Sequence, residues 1–129
     1  MLSILFIALA GICNAVMDII QFKFSISIFN KYTDLKQWAD PKLSWRNKWK
    51  NGDPKQGENF PGSSTMFVWT TDLWHFAQSF MITFFCLAIV FYEPFWPFPQ
   101  GNLDLLLDLF ILKFTFSISF EVFWSKILR

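Results

Sequence analysis

The sequence predicts an all-α integral membrane protein in which three transmembrane helices are joined by a cytoplasmic Trp/Lys-rich interfacial loop and a short outer one. Three observations lead there. The 129 residues are 53% hydrophobic and 21% aromatic but only 16% charged, a balance that a water-soluble domain of this size rarely carries. The apolar residues are gathered into three runs, residues 2 to 22 or a little beyond, 66 to 92 and 103 to 124. Each is near or above the roughly 20 residues that cross a ~30 Å hydrocarbon core as a helix. Finally, residues 30 to 64 contain seven basic groups against four acidic ones, while the second connector, "EPFWPFPQGN", has no basic group. The positive-inside bias then puts the first loop and the Lys126/Arg129 end in the cytoplasm, and the amino terminus and second loop outside.

One membrane domain over residues 1–129 is expected. Helix 1 covers about 2–29 and descends from the outer face. A cleaved signal peptide fits this run poorly, since its first ten residues hold no Lys or Arg. Its tail, "FKFSISIF", alternates polar and apolar residues, as does "KFTFSISF" at 113 to 120. Such alternation usually indicates a strand, but a lone strand in lipid leaves its backbone groups unpaired, so a helix is the expectation. The loop at 30–63 interleaves Trp38, Trp45 and Trp49 with Lys and Arg, which suits the headgroup surface. "NGDPKQG" and "FPG" are turn chemistry, and Ser63 or Ser64 offers an N-cap for helix 2, expected over about 64–92. The outer loop, 93–102, ends that helix with prolines. Helix 3 follows over about 103–127 with Asn102 as its cap.

At 100° per residue, Gly11, Asn14, Asp18, Gln21 and Ser25 share one face of helix 1. Thr71, Asp72, His75, Gln78, Ser79 and Thr83 share one side of helix 2. Helix 3 has two polar lines, one with Asp104, Asp108, Thr115 and Ser119 and the other with Lys113, Ser117 and Glu121. A second polar line on a three-helix protein points to a homo-oligomer or a larger membrane complex. With the orientation above, Asp18, Asp72, His75 and Glu121 are expected to meet in the cytoplasmic half of the membrane. An ionised group at mid-bilayer costs about 2.5–3.5 kcal/mol on insertion scales, so such residues are paired, wet or functional. The cluster has three readings: interhelical bonds involving Lys23 or Lys113, an acid–base or proton-handling site with His75 tuned by Asp72, or a hard-metal site with Asn14 or Gln21 nearby. No cofactor is named by the sequence. Cys13 and Cys86 lie singly in apolar runs and read as small buried residues.

In the loop, Arg46, Lys48, Lys50 and Lys55, with Gly and Ser at the start of helix 2, are candidates for an anionic lipid headgroup. The alternative is topological anchoring alone. The cationic stretch is too short and too close to the membrane for nucleic acid, and no GxxxxGK[ST], GxGxxG, HExxH, GxSxG or CxxC pattern occurs. Membrane lipids and a protein assembly are therefore the expected partners. Two functions compete: a structural or accessory membrane subunit, and a small membrane-embedded enzyme or proton-handling protein built on the Asp/His/Glu cluster.

"SWRNKWKNGDPKQGENFPGSSTMFVWTTDLWHF", with "NAVMDIIQF" before it, resembles a group of small bacterial membrane proteins known as uncharacterised open reading frames. The resemblance covers roughly the first two thirds of the chain. It implies a bacterial inner-membrane location and no activity or site residues.

Overall fold

The computed structural model describes residues 1–96 and 102–129, and among these it is helix and turn throughout. Among the described residues the one strand-like feature is an isolated antiparallel bridge between Trp49 and Glu58. Three long helices dominate: α1 (Leu2–Lys23), α4 (Leu73–Val90) and α5 (Asn102–Val122). Between α1 and α4 lie the single-turn helices α2 (Lys36–Ala39) and α3 (Pro41–Ser44), with several 3-10 turns. Among the described residues two stretches, Leu2–Ile26 and Leu73–Val90, are long and apolar enough to cross a membrane. The outer loop expected at 93–102 falls in part outside the described residues.

Each boundary has a local cause. α1 runs on through one 3-10 turn, Phe24–Ile26, and then stops short of residue 29, because Ser27 is extended and sends both its backbone N–H and its hydroxyl to the Phe24 carbonyl. A hydroxyl that bonds the backbone locally competes with helix continuation. α4 begins nine residues later than the Ser64 start expected from the sequence. Gly62, at φ +81°, turns the chain, and Ser63 and Ser64 serve the loop instead. The cap of α4 is Asp72, whose carboxylate accepts the His75 N–H at 2.9 Å. α5 passes into a wider π turn, Phe123–Ile127.

The three long helices pack side by side, and their contacts set a register. Phe6 of α1 meets Phe84 of α4 and the adjoining Phe91, while Ile20 packs near Leu73 and Trp74, so α1 and α4 are antiparallel. Gly11 faces Phe116 and Ser119, and the core of Ala15, Ile19 and Ile20 closes on Leu128 with Phe120 and Phe123, so α1 and α5 are parallel. At the far end Asp108, buried, accepts hydrogen bonds from the Tyr92 hydroxyl at 2.6 Å and the Phe95 N–H at 3.2 Å, which ties the exit of α4 to α5.

Close approach of α1 and α5 depends on the missing side chain at Gly11. A Cβ there would stand 2.1 Å from the Ser119 hydroxyl and 2.6 Å from the Phe116 carbonyl oxygen. Ser119 can rotate away, but the Phe116 backbone cannot. Gly11→Ala should therefore push the helices apart at an overpacking cost of about 1–3 kcal/mol. Thermal melting in detergent checks it, and an unchanged midpoint would mean that α1 and α5 do not meet at this point.

Candidate functional site

The polar centre of the molecule sits where α4 begins. Its base is the spacing Asp72 to His75, one helical turn. Asp72 is extended, as an N-cap must be, and its carboxylate accepts the His75 backbone N–H. The same carboxylate also meets His75 Nδ1, at 2.8 Å from Oδ1 and 2.7 Å from Oδ2. An ionised carboxylate only accepts, so the proton of this contact lies on Nδ1. That leaves Nε2 as the ring nitrogen available to other chemistry, as a base when neutral and a donor when protonated. Trp74 stands edge-on to the imidazole at 5.0 Å.

The loop delivers a cation to this pair. Asn51 and Gly52 both adopt positive φ and turn the chain back, so that Trp49 bridges to Glu58 and Asn59 donates its N–H to the Lys48 carbonyl at 2.9 Å. The Ser63 hydroxyl donates to the same carbonyl at 2.7 Å. Held by its backbone, Lys48 directs Nζ to within 3.9 Å of Asp72 Oδ2. Asn47 donates to the Gln37 and Thr71 carbonyls at 2.9 Å and 2.8 Å, joining α2 to the approach to α4. Glu58 fastens the other side of the loop. Hydrogen bonds from the Ser64 hydroxyl, the Gly62 N–H and the Ser64 N–H hold its carboxyl below the usual range.

Lys48, Asp72 and His75 line a cavity of about 300 Å³ together with the polar Gln21 and Ser44 and with Trp45 and Trp74 among its apolar members. Asp72 is almost fully covered, at 3% exposed. Burial pushes its carboxyl up, but the hydrogen bonds from the His75 ring and backbone, with the charges of His75 and Lys48, outweigh this and hold it below the usual carboxylate range.

Of the four residues expected to converge, Asp72 and His75 do. Asp18 is half-buried on α1 and does not line the cavity, and Glu121 is exposed on α5. Among the described residues no three His, Cys, Asp or Glu side chains gather as a metal would require, so the hard-metal reading has no ligand set. The four basic loop residues also divide. Lys48 turns to the cavity. Arg46 lies over the Trp45 ring at 5.5 Å with its stem against Gly52. Lys50 and Lys55 are exposed in the turn, where the Lys55 N–H caps onto Asp53. The roles of Asn47, Glu58 and Ser63 as supports for Lys48 were missed from the sequence. "NGDP" signals a tight turn, and following it would have brought Lys48 and Glu58 to its two sides.

Set against known protein families, curated proteins and solved structures, the chain matches none of them.

Asp72 has a double role, and two substitutions separate its parts. Asp72→Ala removes both the cap and the charge and should cost about 1–2 kcal/mol. Asp72→Asn keeps a capping oxygen and loses only the charge. Because the folded-state carboxyl is held low, its contribution is complete above the unfolded value of about 3.9 and fades as pH falls through the lowered folded value. The melting gap between wild type and Asp72→Asn should thus be steady near neutrality and close in acid. A gap absent at neutrality, or one that persists in strong acid, contradicts the ion pair.

Proposed function

We propose that this chain is a small integral protein of a bacterial cytoplasmic membrane that works as an accessory subunit of a larger membrane complex. In this reading α5 is a third crossing beside the two apolar stretches, the amino terminus is outside, and residues 30–63 and the carboxyl terminus are cytoplasmic. The charge of the 30–63 loop supports that orientation. The register supports the third crossing. Ile111 lies beside Met1 and Ile4, so Asp104 and Asp108 fall at or beyond the outer boundary of the α1 span. The part of α5 that runs along α1 keeps only Lys113 and Glu121 as charges.

Glu121 is the observation that carries the accessory role. The Leu73–Val90 stretch has its midpoint at Met81 and Ile82, a level that antiparallel packing sets beside Gly11 of α1. Gly11 in turn faces Ser119. Glu121 is two residues further on, about 3 Å at 1.5 Å per residue, and it is exposed. Among the described residues no ion pair reaches it. An ionised carboxylate facing lipid at that depth costs about 2.5–3.5 kcal/mol or more, and the cost disappears if another helix supplies a donor. Lys113, also exposed, lies far enough toward the outer face to extend its amine to the headgroups.

The partner is a different membrane protein. In a second copy inserted the same way, Lys113 stands eight residues, about 12 Å, from the Glu121 level. A self-pair would bring two Glu121 carboxyls together and have to share a proton between them. A lysine or arginine from another chain at mid-depth meets Glu121 directly.

Extraction in native lipid with mass measurement tests the assembly. Wild type should run in a complex heavier than the chain, Glu121→Gln should loosen it, and Glu121→Leu should release a stable monomer. A wild type that is monomeric, or a complex indifferent to Glu121→Leu, contradicts the accessory role. For the orientation, a reporter inserted after Asn51 should read as cytoplasmic, and an external signal would reverse it.

A further inference from the structure

We propose that the cavity at the head of α4 receives the phosphate of an anionic phospholipid headgroup. The inference rests on the membrane placement above, though not on the lateral complex. Its first support is depth. Asp72 immediately precedes Leu73, where the second apolar stretch starts, and Ile20 and Gln21 of α1 line the same cavity. The opening therefore lies at the edge of the hydrocarbon layer, on the side of the cationic loop, where lipid phosphates and their negative surface potential are found.

The second support is the make-up of the lining. Trp45, Trp74, Pro41 and Ile20 supply its apolar surface, and indole rings at this level suit the glycerol and first acyl carbons of a lipid. The lining also holds donors: the Gln21 amide, the Ser44 hydroxyl and Lys48 Nζ. At 3.9 Å the Lys48 amine is attracted by Asp72 but lies beyond hydrogen-bond length. Its N–H groups are thus able to bond a further acceptor, while the Asp72 oxygens are taken up by His75. Asp72 orders this wall of the site by holding the imidazole through Nδ1. From α1 the facing group is the neutral Gln21, so no second carboxylate lines the cavity to repel the ligand.

The third support is size. About 300 Å³ is at the small end of ligand pockets, which run to roughly 1,000 Å³. It accommodates a headgroup rather than a whole lipid, whose tails have the open lateral face for themselves.

Native mass spectrometry of the detergent-purified chain decides the matter with three probes: dioleoyl phosphatidylglycerol, dioleoylglycerol, which lacks the phosphate, and glycerol 1-phosphate, which lacks the tails. Phosphatidylglycerol adducts should form at about tenfold lower concentration than those of either other probe. Lys48→Gln should remove that preference, Lys48→Arg should keep it, and Lys31→Gln, an exposed lysine away from the cavity, should leave it unchanged. Equal retention of dioleoylglycerol, equal loss in Lys31→Gln and Lys48→Gln, or glycerol 1-phosphate binding as tightly as the lipid would each overturn the assignment. A chain that stays dissolved without detergent overturns the membrane placement instead, so the two failures are distinguishable.

Discussion

The constraint behind every feature of this molecule is an excess of apolar side chain over what three helices can bury against one another. Only 11% of the Leu73–Val90 stretch is covered inside the protein, and Phe110, Phe114, Ile89 and Val90 are each more than two thirds or nearly so exposed, at 66%, 68%, 76% and 73%. A soluble protein would hide such a helix in its core. In the membrane placement proposed above, lipid removes the penalty and replaces it with another, since no water is available to hydrogen-bond the backbone. Long uninterrupted helices satisfy that demand, and their polar ends must then be gathered where water begins.

Asp72 is where this gathering happens. One carboxylate closes the start of α4, orients His75, and attracts Lys48 across from the loop. Each of these contacts lowers the cost of burying the charge, and each would be poor alone because burial works against it. The loop is correspondingly ordered rather than loose. The turn at Asn51 and Gly52, the Glu58 bonds to Gly62 and Ser64, and the Asn47 bonds to Gln37 and Thr71 hold Lys48 in place. At the opposite end Asp108 does comparable work with Tyr92. The two buried aspartates thus fasten the two ends of the helix bundle, and the apolar middle is packed through the close contact at Gly11.

Much of this was legible in the chain, for identifiable reasons. Helices declare themselves by long apolar runs, and the Asp72 to His75 spacing is a local property that needs no partner. The start of α4 was misplaced because Ser63 and Ser64 are good caps in isolation. What overrules them is the Gly62 turn and the hydrogen bond that the Ser64 N–H donates to Glu58, six residues earlier. Glu121 was expected beside Asp72 because a single sequence gives the face of each helix but not the register between helices. The Gly11 to Ser119 contact supplies that register, and it sets Glu121 on an exposed flank near the middle of α1, away from Asp72. Lys48 was one of four equivalent cations in the sequence. The backbone path through the turn is what distinguishes it.

That the lateral surface of α4 faces lipid is the claim on which the rest depends, and Cys86 tests it most directly. Its side chain lies exposed on the flank of α4, well inside the Leu73–Val90 stretch. In intact membranes a water-soluble maleimide should leave Cys86 unmodified, and the same reagent should modify it completely once the chain is unfolded in detergent, as read from the mass of its peptide. Modification as fast before unfolding as after would show water along α4 and contradict a helix that crosses the bilayer.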